Sequence, residues 1–287
     1  MNNVLPSPKI NAFTFFITSK CTLRCKKCVA SIPYASNSYH VPKHQIFQEI
    51  RKTADLFSIM LKQTNAEKCE TLHADLIGGE ALLHPDLVEI TQELCKYAYI
   101  FNEFRIVTNG TLIPKNDFFD LVCDINKSGV KFSFIVDNYG KVSSKFDKLI
   151  NILNVREIPY RINDYVGENT HYNGWVDVGN YDEPIHSYND AKQLFNNGCI
   201  HKTFICLPVW NGRIYPCPYM LGGELRETLK VPKGEFLDLF NDNESIEKKV
   251  DWLSLHWVIN DEPLCGCFYC NGFGLPNQER FPAAEQL

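Results

Sequence analysis

Residues 13–28 read FTFFITSKCTLRCKKC, and this stretch joins an apolar run to a closely spaced group of cysteines. The run 13–17 has the length and the aromatic content of a buried strand. Cys21, Cys25 and Cys28 follow it, and all three lie within eight residues. A loop that presents three thiolates so close together can hold one metal centre. The stretch therefore predicts a buried strand that ends in a metal-binding loop.

Strands and helices alternate after this first strand. Apolar runs predict further strands at 74–77, 104–107, 130–136 and 160–162, and amphipathic helical patterns lie between them. The units repeat at roughly the 30-residue length of a strand followed by a helix, which indicates a parallel α/β architecture.

Polar motifs follow several of the predicted strands at the point where each strand ends. They are Gly78-Gly79-Glu80, Thr108-Asn109-Gly110 and Asp137-Asn138-Tyr139-Gly140. Ligands bind at the carboxyl ends of the strands in parallel α/β folds. We therefore expect these turns and the cysteine loop to converge on one site.

The pattern changes after residue 165. Residues 166–197 are rich in polar and aromatic residues with little periodicity, which predicts a connection or an active-site loop. A second group of cysteines follows, at Cys199, Cys206, Cys217, Cys265, Cys267 and Cys270. We predict a core domain at 10–165, a connecting region at 166–197 and a small cysteine-containing domain at 198–287.

Composition narrows the class of protein. Twelve cysteines in 287 residues is about 4%, below the roughly 8% that marks a disulfide scaffold. The first residues lack the basic and apolar regions of a signal peptide, and no run of 18 apolar residues occurs. A cytoplasmic protein with reduced thiols is predicted, without a membrane partner. The net charge of -5 and the lack of a basic stripe disfavour nucleic acid as a partner.

Cys21, Cys25 and Cys28 match the spacing CxxxCxxC, and on this motif the sequence resembles the radical S-adenosylmethionine (radical SAM) superfamily. The resemblance implies a partial (β/α)6 TIM-like barrel. It also implies a [4Fe-4S] cluster on the three cysteines, with one iron left open for S-adenosylmethionine (SAM). In this family, an electron from the cluster cleaves SAM to a 5′-deoxyadenosyl radical that abstracts a substrate hydrogen.

Gly78-Gly79-Glu80 matches the GGE motif of the family, in which the backbone and the glutamate hold the SAM amino group. The resemblance assigns weaker contacts with the SAM carboxylate or ribose to Thr108, Asn109, Ser133 and Asp137. One position departs from the pattern, because most relatives carry an aromatic residue before the third cysteine and this chain has Lys27.

The run from Cys199 through Gly212 to Cys217 resembles the opening of SPASM and Twitch auxiliary-cluster domains. There, a β-hairpin that turns at the glycine brings two cysteines together. Asn211-Gly212 is a tight-turn signal, with Thr203–Val209 and Arg213–Tyr215 as its strands. The resemblance implies a small hairpin-plus-helix domain of the Twitch form. Its one auxiliary [4Fe-4S] cluster is assigned to Cys199, Cys217, Cys267 and Cys270, with Cys265 as the substitute for Cys267.

Zinc is the alternative metal at both cysteine groups. The first three cysteines could form a zinc half-site that His40 or His44 completes, and the four thiolates of the second group suit structural zinc. Outside these ligand sets, Cys69, Cys95, Cys123, Cys206 and Cys265 remain.

The resemblance implies a radical SAM oxidoreductase in which the auxiliary cluster takes the second electron. Only about eleven residues precede the first strand, whereas peptide-modifying relatives often carry a recognition domain there. A two-electron oxidation (dehydrogenation) of a sugar-like or cyclitol-like small molecule is therefore predicted, with flavodoxin or ferredoxin as the reductant. The alternatives are a peptide-modifying enzyme, an epimerase with a cysteine hydrogen donor, and a noncatalytic iron-sulfur protein.

Oxidation of an alcohol needs a base for the hydroxyl proton. Arg161, Asp164 and Tyr165 follow the fifth predicted strand and are candidates by position. Groups suited to a polyol lie in the connecting region, at His171, Tyr172, Trp175, Asp177, Asp182, Glu183 and His186.

Overall fold

The computed structural model describes residues 10–63, 72–168, 170–179, 181–202, 204–273, 275 and 278–287. Its strands are β1 Ile10–Thr18, β2 His73–Gly78, β3 Glu103–Thr108, β4 Phe132–Asn138, β5 Tyr160–Asp164, β6 Ile205–Trp210, β7 Arg213–Ile214 and β8 Leu237–Asp238. Its α-helices are α1 Lys43–Gln63, α2 Leu87–Cys95, α3 Asn116–Lys127, α4 Phe146–Val155, α5 Tyr188–Gly198, α6 Pro218–Leu225, α7 Ile246–Leu253 and α8 His256–Ile259.

The strands form one sheet in the order β5-β4-β3-β2-β1-β6-β7-β8. β1 to β6 run parallel, and β7 and β8 are antiparallel to their neighbours. The predicted α/β class is confirmed, and the sheet is open, as in a partial barrel.

One face of the sheet packs against helices. On β1, Phe13, Phe15 and Ile17 alternate along this face, and none is more than 1% exposed. The Phe13 ring meets Phe57 of α1 edge-on, with 5.6 Å between the ring centroids. Apolar residues of α1 recur every three or four positions and place Phe57 on its buried side. Among the described helices, none has both the length and the apolar character that crossing a membrane requires.

The opposite face of the sheet is polar where β2, β3 and β4 meet. Arg105 donates two hydrogen bonds of 2.7 Å to the carboxylate of Asp75, and both side chains are buried. On the next strand, the Ser133 hydroxyl donates to Glu103 at 2.6 Å. Because the charges are paired, this inner face is polar without isolated buried ions.

The sheet runs across the predicted boundary at residue 198. β6 and β7 form the predicted hairpin, in which Val209 pairs with Ile214. However, β6 also pairs in parallel with β1, so that Cys206 lies opposite Ala12 in the core sheet. The hairpin is therefore part of the main sheet, and the three-domain division stays a prediction. Thr203 and Cys69 lie outside the described residues.

The connecting region 166–197 is not wholly a loop, because it contains most of α5. The Ser187 side chain caps this helix by accepting a hydrogen bond from the Asp190 amide. Ala191, Phe195 and Gly198 form its buried side. Three small or widely spaced apolar positions are too weak a periodic signal among the polar residues to predict the helix.

A buried carboxyl group joins α1 to the hairpin turn. Glu49 is 1% exposed, and its Oε1 accepts hydrogen bonds from the Gly212 amide at 2.7 Å and from Gln45 Nε2 at 3.0 Å. Burial raises the pKa of Glu49 to about 7. The folded protein therefore holds a proton at Glu49 under conditions in which the unfolded chain has lost it.

We expect Glu49→Gln to change how stability depends on pH. Between the unfolded pKa of 4.5 and the folded pKa of about 7, the native state binds more protons, so the free energy of unfolding falls as pH rises. The fall in the free energy of unfolding that Glu49 causes is on the order of 3 kcal/mol. The variant should not show this fall, because glutamine does not titrate. Urea unfolding of both proteins from pH 4.5 to 8 measures this. Glu279→Gln, which removes an exposed carboxylate, should follow the wild type; a parallel pH course in E49Q would contradict the assignment.

Candidate functional site

Backbone hydrogen bonds hold the GGE loop, at residues 78–80, against the start of the cysteine loop, at residues 18–28. The Gly79 amide donates to the Thr18 carbonyl at 2.9 Å, and the Glu80 amide donates to the Lys20 carbonyl at 2.8 Å. A Cβ atom on Gly79 would lie 2.3 Å from the Lys20 oxygen, and one on Gly78 would lie 2.2 Å from the Thr18 oxygen. This approach requires glycine at both positions. The two motifs meet at the carboxyl ends of β1 and β2, as the sequence predicts.

Glu80 fixes the loop after β3 as well. Its carboxylate is buried and accepts hydrogen bonds from the Leu82 amide at 3.1 Å, the Thr108 hydroxyl at 3.0 Å and the Asn109 amide at 2.9 Å. Burial raises the pKa of Glu80 to about 7. Because donors of the chain itself occupy most of its acceptor capacity, Glu80 ties two loops together. Its contact with the SAM amino group stays a prediction.

The three cysteines of the first group lie in one loop, in which Cys25 is buried, Cys21 and Cys28 are half-buried, and hydrogen-bond donors reach two of the sulfurs. Cys21 Sγ accepts from the Leu23 amide at 3.4 Å and from Asn109 Nδ2 at 3.6 Å. Cys25 Sγ accepts from Gln286 Nε2 at 3.4 Å. Burial raises the pKa of Cys21 to about 12 and of Cys25 to about 11, and also raises the pKa of Cys28.

Three thiolates in a partly buried loop would be unfavourable without a cation, and a metal centre removes this cost by supplying positive charge. Hydrogen bonds to sulfur are also typical of iron-sulfur sites. The residues present therefore fit a cluster held by Cys21, Cys25 and Cys28. In the described part of the chain, no three His, Cys, Asp or Glu side chains lie close enough to hold a single metal ion. His40, offered above for a zinc site, instead packs its ring against His84.

Lys27 replaces the aromatic residue of the family pattern, and its contacts bring an aromatic ring from elsewhere. Its ammonium group donates to Asp177 at 2.6 Å and lies 3.9 Å from the centre of the Phe281 ring. Phe281 is held by a pair of backbone hydrogen bonds with Trp175, of 2.9 and 2.7 Å. Asp177, predicted to suit a polyol, is therefore engaged by Lys27. Phe281 could not be predicted as a neighbour of Lys27, because it lies more than 250 positions away along the chain.

Asp137 lies at the carboxyl end of β4 in an aromatic wall. Its carboxylate accepts hydrogen bonds from the Tyr139 hydroxyl at 3.0 Å and from Asn163 Nδ2 at 2.8 Å. The Tyr139 ring stacks on Tyr165, with 5.1 Å between centroids, and meets Trp175 edge-on at 5.6 Å. Burial raises the pKa of Asp137 to about 6. Such a carboxyl group can exchange a proton near neutral pH.

Tyr139 and Trp175 also connect this wall to the cysteine loop. Both pack against a small apolar cluster that contains Leu23, Cys25 and Ala284. Asp137 therefore lies one aromatic layer from the first cysteine group.

The other predicted catalytic residues occupy different surroundings. Arg161 and Asp164 are exposed on the edge strand β5. Asp164 accepts from Asn138 Nδ2 and from the Val166 amide, both at 3.0 Å. Of the three candidates, only Tyr165 joins the aromatic wall described above. Their catalytic roles stay predictions.

Ser133 is distant from the turns that form the site. It lies four positions before Asp137 on β4, opposite Arg105 of β3, and its hydroxyl donates to Glu103. Four residues of strand span about 13 Å. Ser133 therefore lies deeper on the inner face than the residues proposed for SAM, and its predicted contact with SAM stays untested.

Residues of the connecting region are divided between the two cysteine groups. The His171 ring contacts Tyr165, with 5.4 Å between centroids, and a ring nitrogen of His186 lies 3.0 Å from the Cys270 carbonyl oxygen. The side chains of Tyr172, Asp182 and Glu183 are exposed. A role in binding a polyol stays a prediction for all of them.

The second cysteine group is assembled from the ends of two helices and a short turn. Cys199 follows α5, Cys217 precedes α6, and Cys267 and Cys270 lie in the turn at 265–270. Burial is the main cause that raises the pKa of all four thiols, and mutual repulsion of their negative charges contributes at Cys217, Cys267 and Cys270. The four thiols therefore lie within range of one another's charge, and four cysteines are the donor set that the predicted auxiliary cluster requires.

Cys265 has a different partner. Its amide donates to Glu235 Oε2 at 2.7 Å, and its thiol pKa is raised by burial, by a hydrogen bond to Glu235 and by that residue's charge. The assignment of Cys267 as the ligand, with Cys265 as its substitute, stays a prediction.

One helix and a pair of tyrosines separate the two cysteine groups. Tyr181 and Tyr219 stack with 4.3 Å between centroids, and the Tyr181 hydroxyl donates to the Tyr219 carbonyl at 2.7 Å. A Cβ atom on Gly222 of α6 would lie 3.1 Å from the Val29 carbonyl oxygen, next to Cys28. The helix that begins after Cys217 therefore packs directly on the first cysteine loop.

No family model matches the sequence. The chain is 33% identical over 115 residues to the antilisterial bacteriocin subtilosin biosynthesis protein AlbA of Bacillus subtilis. The match covers 40% of this chain and 21% of AlbA, so the matched part spans about a fifth of that relative.

Solved structures with similarity to the chain include BtrN and anSMEcpe. BtrN in complex with AdoMet and 2-DOIA has a TM-score of 0.49 and 15% identity, over 97% of this chain and 98% of BtrN. Native anSMEcpe with bound AdoMet and Cp18Cys peptide has a TM-score of 0.47 and 15% identity, over 84% of this chain and 81% of anSMEcpe. The resemblance to radical SAM enzymes of the SPASM type, predicted from the motifs, is confirmed.

We expect Gly79→Ala to disrupt the first cysteine group without unfolding the sheet. The new Cβ would meet the Lys20 oxygen at 2.3 Å, so the cysteine loop must move. After reconstitution with iron and sulfide, the variant should lose about half of the bound iron. Gly129→Ala is the control, because its Cβ has no neighbour within 4 Å and it introduces only backbone strain. Wild-type iron content in G79A would show that the close approach does not position the ligands.

Proposed function

We propose that this chain is a radical SAM oxidoreductase that acts with two [4Fe-4S] clusters. The observation that carries the proposal is the close approach of the GGE loop to the cysteine loop, through the two backbone hydrogen bonds at Gly79 and Glu80. When bound, SAM and the cluster on Cys21, Cys25 and Cys28 would supply a 5′-deoxyadenosyl radical that removes a substrate hydrogen.

The second group, Cys199, Cys217, Cys267 and Cys270, would hold an auxiliary cluster that accepts the second electron. Its separation from the first group by only α6 and the stacked Tyr181 and Tyr219 supports this assignment. A reductant such as flavodoxin or ferredoxin would supply the first electron. We propose the cytoplasm as the place of action, and neither nucleic acid nor a membrane as a partner.

We infer that Asp137 is the better candidate for the base than Arg161 or Asp164. Oxidation of an alcohol carbon removes the C–H hydrogen atom, the hydroxyl proton and one further electron. The proton needs an acceptor that is shielded from water. Asp137 is half-buried and accepts hydrogen bonds from Tyr139 and Asn163, whereas Asp164 is exposed. Arg161 is a cation and cannot accept a proton, but its charge lowers the pKa of Asp137 and so favours the basic form.

A sugar-like or cyclitol-like alcohol is the substrate class that we propose. The polar groups at the aromatic wall, Asp137 with Tyr139 and Asn163, and His171 against Tyr165, suit hydroxyl groups. The second candidate function is modification of a peptide, which the similarity to a bacteriocin biosynthesis protein favours. Incubation of the reconstituted enzyme with an aminocyclitol panel and with a ribosomally made precursor peptide separates the two, since only the true class should yield an oxidised product.

Iron counting and SAM cleavage test the proposal directly. Anaerobic reconstitution should give about eight irons per chain, as two [4Fe-4S] clusters require. Reduction in the presence of SAM should release 5′-deoxyadenosine. The triple alanine variant of Cys21, Cys25 and Cys28 should keep about four irons and should release no 5′-deoxyadenosine. Zinc in place of iron in that variant, or no 5′-deoxyadenosine from the wild type, would defeat the proposal.

We expect Asp137→Asn to lower alcohol oxidation by about 10²- to 10⁴-fold, the usual contribution of a general base. The wild-type rate should rise with pH through about 6, because the carboxylate form is the base and burial places its pKa there. The variant should lose this rise but still release 5′-deoxyadenosine in the absence of substrate. Asp164→Asn is the matched control on the neighbouring strand. An equal loss in both variants would argue against Asp137.

A further inference from the structure

Residues 281–287, here called the strap, form a short antiparallel pairing with the cysteine loop. The Lys26 amide donates to the Glu285 carbonyl at 2.8 Å, and the Leu287 amide donates to the Arg24 carbonyl at 2.8 Å. This pairing places Gln286 opposite Cys25. The bonds join main-chain groups separated by about 260 positions, so the pairing is entirely a tertiary contact.

The Gln286 side chain is held at both ends of its amide. Its Oε1 accepts a hydrogen bond from the Arg24 amide at 2.7 Å. Its Nε2 donates to the Ala284 carbonyl at 2.6 Å and to Cys25 Sγ at 3.4 Å. Because an amide has one acceptor atom and one donor atom, these partners fix which end points at the sulfur.

Ala284 covers the same cysteine from another side. It is 1% exposed and packs with Leu23 and Cys25 in the small apolar cluster that also contacts Tyr139 and Trp175. Outside this cluster, Lys26 and Glu285 form an ion pair that remains partly exposed. The strap therefore presents an apolar and hydrogen-bonding side to the cysteine loop and a charged side to solvent.

We propose that the strap is a wall of the cofactor site and that Gln286 is a positioning residue for Cys25. The inference rests on the proposed function, in which Cys25 is a cluster ligand. Gln286 orients the sulfur through the donated hydrogen bond and fixes the backbone of the loop through Arg24. Groups that orient metal ligands, hydrogen bonds to sulfur and shielding from solvent all tune the reduction potential of iron-sulfur sites.

The first test uses the protein without iron. Hydrogen–deuterium exchange of residues 22–28 reports how often the strap leaves the loop. Gln286→Leu removes both ends of the amide contact at similar size, and exchange should accelerate about fivefold for each hydrogen bond of about 1 kcal/mol that is lost. Glu285→Gln is the matched control, because it removes only the partly exposed ion pair with Lys26, and its exchange should match the wild type.

The second test uses the reconstituted protein and measures the midpoint potential of the first cluster. Gln286→Leu removes a donor that favours the more negative reduced cluster, so its potential should be lower than that of the wild type. Gln286→Glu keeps an acceptor for the Arg24 amide but places a carboxylate against the sulfur, so its potential should be lower still. If the substitutions only loosened the strap, water would reach the cluster and the midpoint potential would rise in both variants. The auxiliary cluster is the internal reference, and its midpoint potential should stay unchanged.

The two tests separate this proposal from the proposed function. If the wild-type protein takes up no iron, the proposed function fails, and the exchange rates still decide whether Gln286 holds the loop. Wild-type exchange together with a wild-type potential in Gln286→Leu would overturn the strap proposal. An upward shift in both variants would overturn the role of Gln286 as the donor to Cys25.

Discussion

Two backbone hydrogen bonds, from Gly79 to Thr18 and from Glu80 to Lys20, hold the loop after β2 against the loop after β1. A side chain on either Gly78 or Gly79 would collide with a carbonyl oxygen of the neighbouring loop. The rest of the site is built outward from this contact. Glu80, placed by this contact, accepts a hydrogen bond from the backbone amide of Asn109, and the side-chain Nδ2 of Asn109 then donates to the sulfur of Cys21.

Much of this arrangement can be predicted from local sequence, because in a parallel sheet the order of the strands decides which loops are neighbours. The apolar runs predict β1 to β5 within two or three residues of their bounds. The carboxyl ends of neighbouring parallel strands lie on one edge, so polar motifs placed there must converge. The meeting of the CxxxCxxC and GGE motifs follows from this rule without knowledge of any side-chain contact.

Other features depend on partners that local sequence does not specify. The apolar run of β6 is compatible with a separate hairpin and with pairing to β1, and only the fold shows that it pairs with β1 as well. The helix α5 lies within a polar stretch whose apolar spacing is weak. Lys27 departs from the family pattern, and its contacts with Asp177 and Phe281 join parts of the chain that are far apart in sequence. Asp137 was identified, but its burial, which changes its chemistry, was not predictable from its position after a strand.

The separation of 261 positions between Gln286 and Cys25 also has a consequence for biosynthesis. A protein is made from its amino end, and its early segments begin to fold before the later ones exist. The cysteine loop therefore emerges from the ribosome long before the segment that covers it. During that interval its thiols lack one wall of the finished site, and an assembly factor that delivers iron and sulfide has a side from which to reach them. Translation itself thus sets an order in which loading of the loop can precede its closure.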